Sequence, residues 1–282
     1  MYKIVHKRVL NPTVTQMEIE APLVAAKGKP GQFIILRVDS EGERIPLTIA
    51  GTNKEEGTVK IIFQIVGSTT AKLNNKNEGE YIEDFVGPLG RATHTDGIKK
   101  VCIVGGGVGC AIAMPVAQEF HRLGAEVVSI VGFRDKNLVI LEDEFKACSD
   151  KMILMTDDGS YGRHGNVTVP LKEMLEAGEK FDMIITIGPL IMMKFVTLTA
   201  KPFGVPVTAS MNPVMIDGTG MCGGCRLTLN QDGKKITKFA CVDGPEFNAY
   251  EIDFDEAMSR GRMYADFERH AYEDTCNLFK NI

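Results

Sequence analysis

The sequence predicts an antiparallel β-barrel, then a doubly wound parallel α/β domain, and finally a cysteine-bearing segment with a helical tail. Three observations support this fold class. Residues 1–96 contain short alternating strands broken by turns, whereas residues 97–211 alternate strands with helices. Residues 212–247 are rich in glycine and cysteine. Residues 248–282 have the composition of a helix and are expected to dock on a partner subunit.

The first part is predicted to be a barrel because its strands are short and it contains no long helical pattern. Predicted strands cover residues 14–19, 33–38, 59–66 and 81–86, with clusters of Gly, Pro, Asn and Asp between them. A small antiparallel sheet of this kind commonly closes into a barrel.

The second part is predicted to be a parallel sheet because buried strands alternate with helices. Predicted strands cover residues 100–104, 126–131, 152–156 and 183–187, and predicted helices cover residues 110–123, 170–177 and 190–200. In such a sheet, ligands bind beyond the carboxyl ends of the strands.

Composition excludes several classes of protein. Of the 282 residues, 44% are hydrophobic and 24% charged, as in ordinary globular proteins, and the net charge of −5 offers no basic face for nucleic acid. No apolar run is long enough to cross a membrane, and the N-terminus lacks a signal-peptide core, so we expect a cytoplasmic protein. Seven cysteines, an odd number, then favour metal binding over disulfides.

A glycine-rich turn predicts nucleotide binding. Strand residues 101–104 run into Gly105-Gly106-Gly107-Val108-Gly109, which opens a helix. Glycine lets a pyrophosphate approach the backbone, and the helix N-terminus offers N–H groups to it. The spacing departs from G-x-G-x-x-G, and such turns also occur for structural reasons alone.

Two other loops of the same sheet are expected to join that turn at the nucleotide. The predicted contacts after the three strands are Gly106, Gly107, Val108, Gly109, Asp157, Asp158, Gly159, Gly188 and Pro189. Asp157 and Asp158 are expected to bond nucleotide hydroxyls or to cap a turn. Taken singly, each loop is also compatible with an ordinary turn.

Three cysteines predict a metal centre. Cys222 and Cys225 form a C-x2-C pair, and Cys241 follows fifteen residues later. Plant-type [2Fe–2S] clusters use C-x4-C-x2-C…C, and Asp217 stands at the first position of that pattern. We therefore predict Asp217 as the fourth ligand, with Cys276 in reserve. Zinc and unligated buried cysteines are the alternatives. Cys102, Cys110, Cys148 and, unless Asp217 fails as a ligand, Cys276 are expected to be packing residues.

Taken together, these features resemble the ferredoxin–NADP reductase-like superfamily over essentially the whole chain. Its markers are Pro30-Gly31-Gln32-Phe33, Arg44-Ile45-Pro46-Leu47-Thr48, Gly67-Ser68-Thr69-Thr70, Gly87-Pro88-Leu89-Gly90 and Cys241-Val242-Asp243-Gly244-Pro245-Glu246-Phe247. Within it, the chain resembles the electron-transfer subunits that serve dihydroorotate dehydrogenase, sulfide dehydrogenase and the electron-bifurcating NADH-dependent reduced ferredoxin:NADP oxidoreductase.

The resemblance implies FAD in the barrel. Arg44 would contact the pyrophosphate, and Pro46, Leu47 and Thr48 would lie along the flavin ring. Gly67, Ser68, Thr69 and Thr70 would precede a short helix, residues 71–73, whose N-terminus takes the FAD phosphate. Without the resemblance, residues 44–48 would be interpreted as an edge strand with an exposed arginine.

Two features select among these relatives. Asp217 replaces the first cluster cysteine of the dihydroorotate subunits, and the chain continues for about 35 residues beyond Phe247, whereas those subunits end soon after the corresponding Gly-Pro-x-Phe element. Both features resemble the bifurcating transhydrogenase and sulfide dehydrogenase subunits. Ile187 stands where many members of the superfamily have cysteine before Gly-Pro.

The resemblance implies an oxidoreductase subunit that carries electrons between NAD(H), FAD and the [2Fe–2S] cluster. It also implies a larger flavin and iron–sulfur partner subunit, in a heterodimer or higher assembly, and ferredoxin as a reactant of the complex. Arg134 and Lys136 could hold the 2′-phosphate of NADP(H), whereas Asp135 would oppose it; the resemblance favours NAD(H). The alternatives are a stand-alone NAD(P)H diaphorase and a zinc-binding module without flavin.

Overall fold

The structure is a computed structural model that describes the backbone of residues 1–280 and the side chains of residues 1–273. Two seven-stranded sheets and one two-stranded sheet make up its β-structure. The predicted fold class is confirmed: a nearly closed antiparallel barrel precedes a parallel α/β sheet, and a cysteine-bearing segment follows.

The barrel occupies the N-terminal part of the chain. Its elements are β1 (Tyr2–Asn11), β2 (Val14–Glu20), α1 (Pro22–Ala25), β3 (Phe33–Arg37), β4 (Arg44–Asn53), β5 (Thr58–Gln64), α2 (Ser68–Asn75), β6 (Tyr81–Ile82) and β7 (Asp84–Leu89). All neighbouring strands are antiparallel in the order β6-β1-β2-β5-β4-β3-β7. The predicted strand over residues 81–86 is wrong as one element, because Glu83 separates the two edge strands. That single residue joins the two edges and nearly closes the barrel.

Strand β4 has two halves with different neighbours. Residues 44–48 pair with β3, whereas the half from Ile49 onwards pairs with β5. Pro46 lacks an N–H group and is tolerated there because its outer side has no neighbouring strand. The edge-strand interpretation is therefore correct for this half of the strand.

The second sheet lies between two layers of helices. Its elements are β8 (Lys100–Gly106), α3 (Gly109–Arg122), β9 (Glu126–Phe133), α4 (Glu142–Ala147), β10 (Lys151–Thr156), β11 (Arg163–His164), α5 (Thr168–Glu176), β12 (Met183–Ile187), α6 (Leu190–Ala200) and β13 (Val207–Ser210). The strand order is β11-β10-β9-β8-β12-β13, all parallel. The chain order reverses between β8 and β12, which makes their carboxyl ends the topological switch point.

The C-terminal segment packs on both sheets. Its elements are β14 (Arg226–Gln231), β15 (Lys234–Phe239), α7 (Ala240–Asp243), β16 (Glu246–Asn248), α8 (Phe254–Arg260) and α9 (Ala265–Lys280). β14 and β15 form a hairpin, and β16 adds antiparallel to β13 of the second sheet. One continuous core joins Phe33 and Ile35 of the barrel, Met215 and Cys225 of this segment, and Val104 of the second sheet.

The tail is helical with one interruption. Residues 261–264 separate α8 from α9, so the single helix predicted from residue 255 onwards is wrong there. No helix within the described part of the chain is long and apolar enough to cross a membrane. The division of the chain at residues 96, 211 and 247 stays a prediction.

Candidate functional site

A cavity of about 960 Å³ lies between the barrel and the second sheet. It opens at the switch point, beyond the carboxyl ends of β8 and β12, where an open α/β sheet binds its ligands. The predicted site residues that line it are Pro46, Leu47, Thr48, Thr70, Gly106, Gly107, Val108, Gly109, Arg134, Asp157, Gly188 and Pro189. Residues predicted from six separate stretches of sequence thus share one cavity.

The unpaired half of β4 forms the barrel wall of this cavity. Pro46, Leu47 and Thr48 line it next to Phe33 of β3. Because no strand pairs with this side of β4, its backbone groups are free to bond the polar edge of a ring-shaped ligand.

Helix α2 begins earlier than predicted. It starts at Ser68 rather than residue 71, so residues 68–70 form its first turn and Gly67 is the N-cap. The Thr70 hydroxyl accepts hydrogen bonds from the N–H groups of Val66 and Gly67, both at 3.0 Å. Thr70 lines the cavity, so this N-terminus lies where an anionic group of a bound ligand would be stabilised.

The glycines of the turn after β8 have separate roles. A Cβ on Gly109 would lie 2.5 Å from the Ile187 carbonyl oxygen, so this glycine allows α3 to pack against β12. A Cβ on Gly106 would overlap the Met192 sulfur. Gly107 has φ +56°, and a Cβ there would meet no protein atom within 4 Å. Gly107 is therefore the glycine whose open side faces space for a ligand.

After β9 and β10, the structure separates residues that the sequence grouped together as nucleotide contacts. Arg134 and Asp157 line the cavity. The Asp135 carboxylate instead accepts the Asn137 N–H at 2.8 Å, and the Lys136 ammonium lies 5.4 Å from the centre of the Tyr161 ring. Asp158 caps a turn, where its hydrogen bonds with Ser160 lower the pKa of its carboxyl.

Six predicted residues do not line the cavity: Arg44, Gly67, Ser68, Thr69, Asp158 and Gly159. Gly159 has φ +72° and forms the turn after β10, while Arg44 is the exposed first residue of β4. Lining residues that the site prediction omitted include Phe33, Asn166, Met192, Met215 and Pro245. Phe33 and Pro245 lie in marker motifs; Asn166 and Met215 carried no sequence signal.

The cysteine loop follows directly from the cavity wall. Asp217 accepts hydrogen bonds from the Thr219 N–H and the Cys222 N–H, both at 2.9 Å, and the Cys222 thiol also interacts with it. The Thr219 N–H is the largest cause of the lowered pKa of the Asp217 carboxyl, followed by the Cys222 N–H. Asp217 and Cys222 thus form one pair of donors, with Asp217 held as a carboxylate.

Cys225 and Cys241 form the second pair. Their sulfurs lie 3.1 Å apart, and both residues are buried. Burial, followed by the interaction with Cys225, raises the pKa of the Cys241 thiol to about 12 in the absence of a metal. N–H groups point at the sulfurs: Gly224 N–H at Cys222 and Cys241 N–H at Cys225, both at 3.5 Å.

This donor set fits a two-iron cluster. Each iron of a [2Fe–2S] cluster takes two protein ligands, and the four donors lie in two pairs. Across residues 1–273, no three His, Cys, Asp or Glu side chains converge on the position of a single ion. Cys102, Cys110 and Cys148 are buried elsewhere, whereas the side chain of Cys276, the reserve ligand, lies outside the described residues.

Glu246 lies beside the cavity-lining Pro245 and was not predicted to have a role. Its carboxylate accepts a hydrogen bond from the Thr93 hydroxyl at 2.6 Å. Burial raises the pKa of the Glu246 carboxyl from 4.5 to about 7, against a smaller opposite effect of the Thr93 hydrogen bond.

That pKa predicts a change of stability with pH. A carboxyl whose folded-state pKa is raised contributes its full stability below pH 4.5 and loses it as the pH rises through about 7. Glu246→Gln keeps an acceptor for Thr93 but cannot ionise. We therefore expect the variant to gain about 1–3 kcal/mol over the wild type across this range, a few degrees in melting temperature. Melting curves of both holoproteins at about pH 5 and about pH 8 measure it; a constant difference would contradict the assignment.

Comparison with known proteins identifies the cysteine segment. A family model described as the iron–sulfur cluster binding domain of dihydroorotate dehydrogenase B matches residues 212–253. This match includes Asp217 and all three clustered cysteines. It favours iron and sulfide over zinc.

Relatives match nearly the whole chain. The dihydroorotate dehydrogenase B (NAD(+)) electron transfer subunit homolog of Thermotoga maritima is 44% identical over 271 residues, which cover 96% of this chain and 94% of the relative. A protein of Clostridium beijerinckii named only for its position in the adh 3′ region is 47% identical over 272 residues, which cover 94% and 90%.

A solved structure matches this chain with similar sequence identity and coverage. One chain from the structure of an NADH-dependent reduced ferredoxin-NADP oxidoreductase is 42% identical, covers 97% of this chain and 97% of its own length, and superposes with a TM-score of 0.89. That structure gave insights into flavin-based electron bifurcation.

Proposed function

The chain belongs to the family of dihydroorotate dehydrogenase B electron-transfer subunits, and we propose that it carries electrons between NAD(H), FAD and a [2Fe–2S] cluster. It is an oxidoreductase subunit of the ferredoxin reductase type. The flavin, when bound, exchanges electron pairs with the nicotinamide and single electrons with the cluster, which allows two-electron and one-electron chemistry to be joined.

The position of the cysteine loop at the end of the cavity supports this proposal. Met215 lines the cavity, and Asp217 follows two residues later. A Cβ on Gly218 would lie 2.7 Å from Leu89 Cδ1 and 2.9 Å from Ile35 Cδ1, so the loop packs directly on barrel strands β7 and β3. The proposed cluster site therefore lies against the barrel whose strands β3 and β4 line the cavity.

The residues of this chain bind, orient and shield the three groups. The free side of β4, with Thr70 in the first turn of α2, would hold FAD, and the turn after β8 with Gly188 and Pro189 would hold the nucleotide. Asp217, Cys222, Cys225 and Cys241 would hold the cluster. Because these sites lie on three packed units, the fold sets their relative positions.

The finer proposal is that this subunit serves a ferredoxin:NAD(P) oxidoreductase of the bifurcating type, with a larger flavin and iron–sulfur partner. Its support is the match, over 97% of both chains, to one chain from the structure of such an oxidoreductase, together with Asp217 and the long tail. Exposed apolar side chains beside the cysteine loop, Val214, Ile216, Met221 and Val242, offer a surface where that partner could receive electrons. Subunits of dihydroorotate or sulfide dehydrogenase are the second candidates.

One experiment tests the central claim. The purified protein is expected to show flavin bands over broad iron–sulfur absorbance. NADH is expected to bleach both at lower concentration than NADPH, because only Arg134 of the predicted 2′-phosphate contacts lines the cavity. A colourless protein, or one with zinc and no flavin, would contradict the proposal. Sedimentation of the chain purified from its native source tests the partner; a monomer with full activity towards ferredoxin would contradict it.

A further inference from the structure

The connection between the two large sheets contacts the chain that follows Cys241. This linker strap, residues 91–93, follows β7 and runs between the barrel loop at Pro30 and Gly31 and the chain that follows Cys241. It makes hydrogen bonds in both directions, so it joins this barrel loop to the cluster segment.

Arg91 holds the helix that carries Cys241. Its N–H donates to the Gly244 carbonyl at 2.7 Å, and its Nε donates to the Val242 carbonyl at 3.1 Å. Its guanidinium also lies 4.0 Å from the Asp243 carboxylate. The carbonyls at the C-terminal end of α7 lack hydrogen-bond donors within the helix, and Arg91 provides donors for two of them.

Thr93 holds the opposite end of the same chain segment. Its N–H donates to the Pro30 carbonyl at 3.0 Å, and its hydroxyl donates to Glu246 at 2.6 Å. A Cβ on Gly31, which has φ +84°, would overlap Thr93 and would lie 3.2 Å from the Glu246 carboxylate. The barrel loop is therefore pressed against this hydrogen bond, and Pro245 next to it lines the cavity.

We propose that Thr93 and Glu246 are positioning residues for electron transfer: their hydrogen bond fixes the segment that carries Cys241 against the flavin cavity. This inference rests on the proposed function. The segment from Cys241 to β16 is attached at both ends, at α7 through Arg91 and at Glu246 through Thr93. Loss of one attachment lets this segment shift relative to the barrel. A shift of about 1 Å is enough to slow a step that requires fixed geometry.

Anaerobic stopped-flow mixing of the holoprotein with NADH tests the proposal, because flavin reduction and cluster reduction are observed separately. Thr93→Val keeps the shape of the side chain and removes the hydroxyl. We expect cluster reduction to slow on the order of tenfold, because one lost hydrogen bond lowers by about that factor the fraction of molecules in which the Cys241 segment is held in place. Flavin reduction is expected to stay unchanged. Thr93→Ser is expected to restore the rate. Thr95→Val is the matched control, since its hydroxyl bonds to none of the described residues.

Glu246 provides an independent readout. Glu246→Ala is expected to reproduce the slow cluster reduction of Thr93→Val, whereas Glu246→Gln keeps the acceptor and the wild-type rate. If Thr93→Val fails to retain its cluster, the comparison of Glu246→Ala with Glu246→Gln decides whether the hydrogen bond positions the segment. Equal rates in Glu246→Ala and the wild type, or equal slowing of both steps, would overturn the positioning role. A wild-type protein whose cluster NADH does not reduce would instead contradict the proposed function.

Discussion

Asp217→Ala is expected to remove the [2Fe–2S] cluster while FAD stays bound. The carboxylate is held at the first position of the ligand pattern by two backbone N–H groups, beside Cys222. Alanine removes a ligand from one iron and leaves that iron with a single protein donor. Substitution of a residue that only supports a metal ligand already lowers metal affinity about 10–100-fold. Loss of a ligand itself is therefore expected to lower cluster occupancy at least about tenfold. Iron and sulfide analysis, with the flavin content from absorbance, measures it.

A second substitution separates ligation from loop stability. Asp217→Cys loses the carboxylate that caps the loop but completes the four-cysteine pattern, so it is expected to retain a cluster with altered spectrum and potential. Asp232→Asn, at the tip of the β14–β15 hairpin in the same segment, is the control and should change nothing. Full cluster content in Asp217→Ala would show that the fourth ligand lies elsewhere, and Cys276 would then be tested.

The sequence predicts site residues best where the site is formed by residues that are close together in the chain. Cys222, Cys225 and Asp217 lie within nine residues, and one turn is enough to bring them together. The glycine turn is similar, because a strand, a tight turn and a helix are consecutive in the chain. Both features could be assigned before any tertiary contact was known.

Contacts between distant parts of the chain were beyond such an analysis. Pro245 lines the cavity because β16 returns to pair with β13, and no periodicity predicts a three-residue strand joining a sheet formed before it. Glu246 had no predicted role of its own, because its hydrogen-bond partner Thr93 lies more than 150 residues away in the chain. Arg134, Asp135 and Lys136 are adjacent in sequence, yet the local turn directs only Arg134 into the cavity.

Gly107→Ala is expected to abolish tight NAD(H) binding while the cluster stays intact. Gly107 lines the cavity with open space where its Cβ would point, so the methyl group would occupy ligand space rather than clash with protein. Hydrogen bonds to a charged group contribute about 1.5–3 kcal/mol, so holding the pyrophosphate off the turn is expected to raise Kd roughly tenfold to a hundredfold. NADH should then fail to bleach the flavin at concentrations that suffice for the wild type, whereas dithionite still reduces both flavin and cluster.

Strain at this position needs its own control, because Gly107 has a positive φ that costs alanine about 1–2 kcal/mol. Gly124 supplies it: it has φ +81°, a Cβ there would also meet no protein atom within 4 Å, and it lies in the turn between α3 and β9, away from the cavity. Gly124→Ala should therefore lose similar stability and keep the wild-type affinity for NADH. If both variants lose affinity equally, strain in the sheet explains the effect; a loss confined to Gly107→Ala assigns the open side of the turn to the nucleotide.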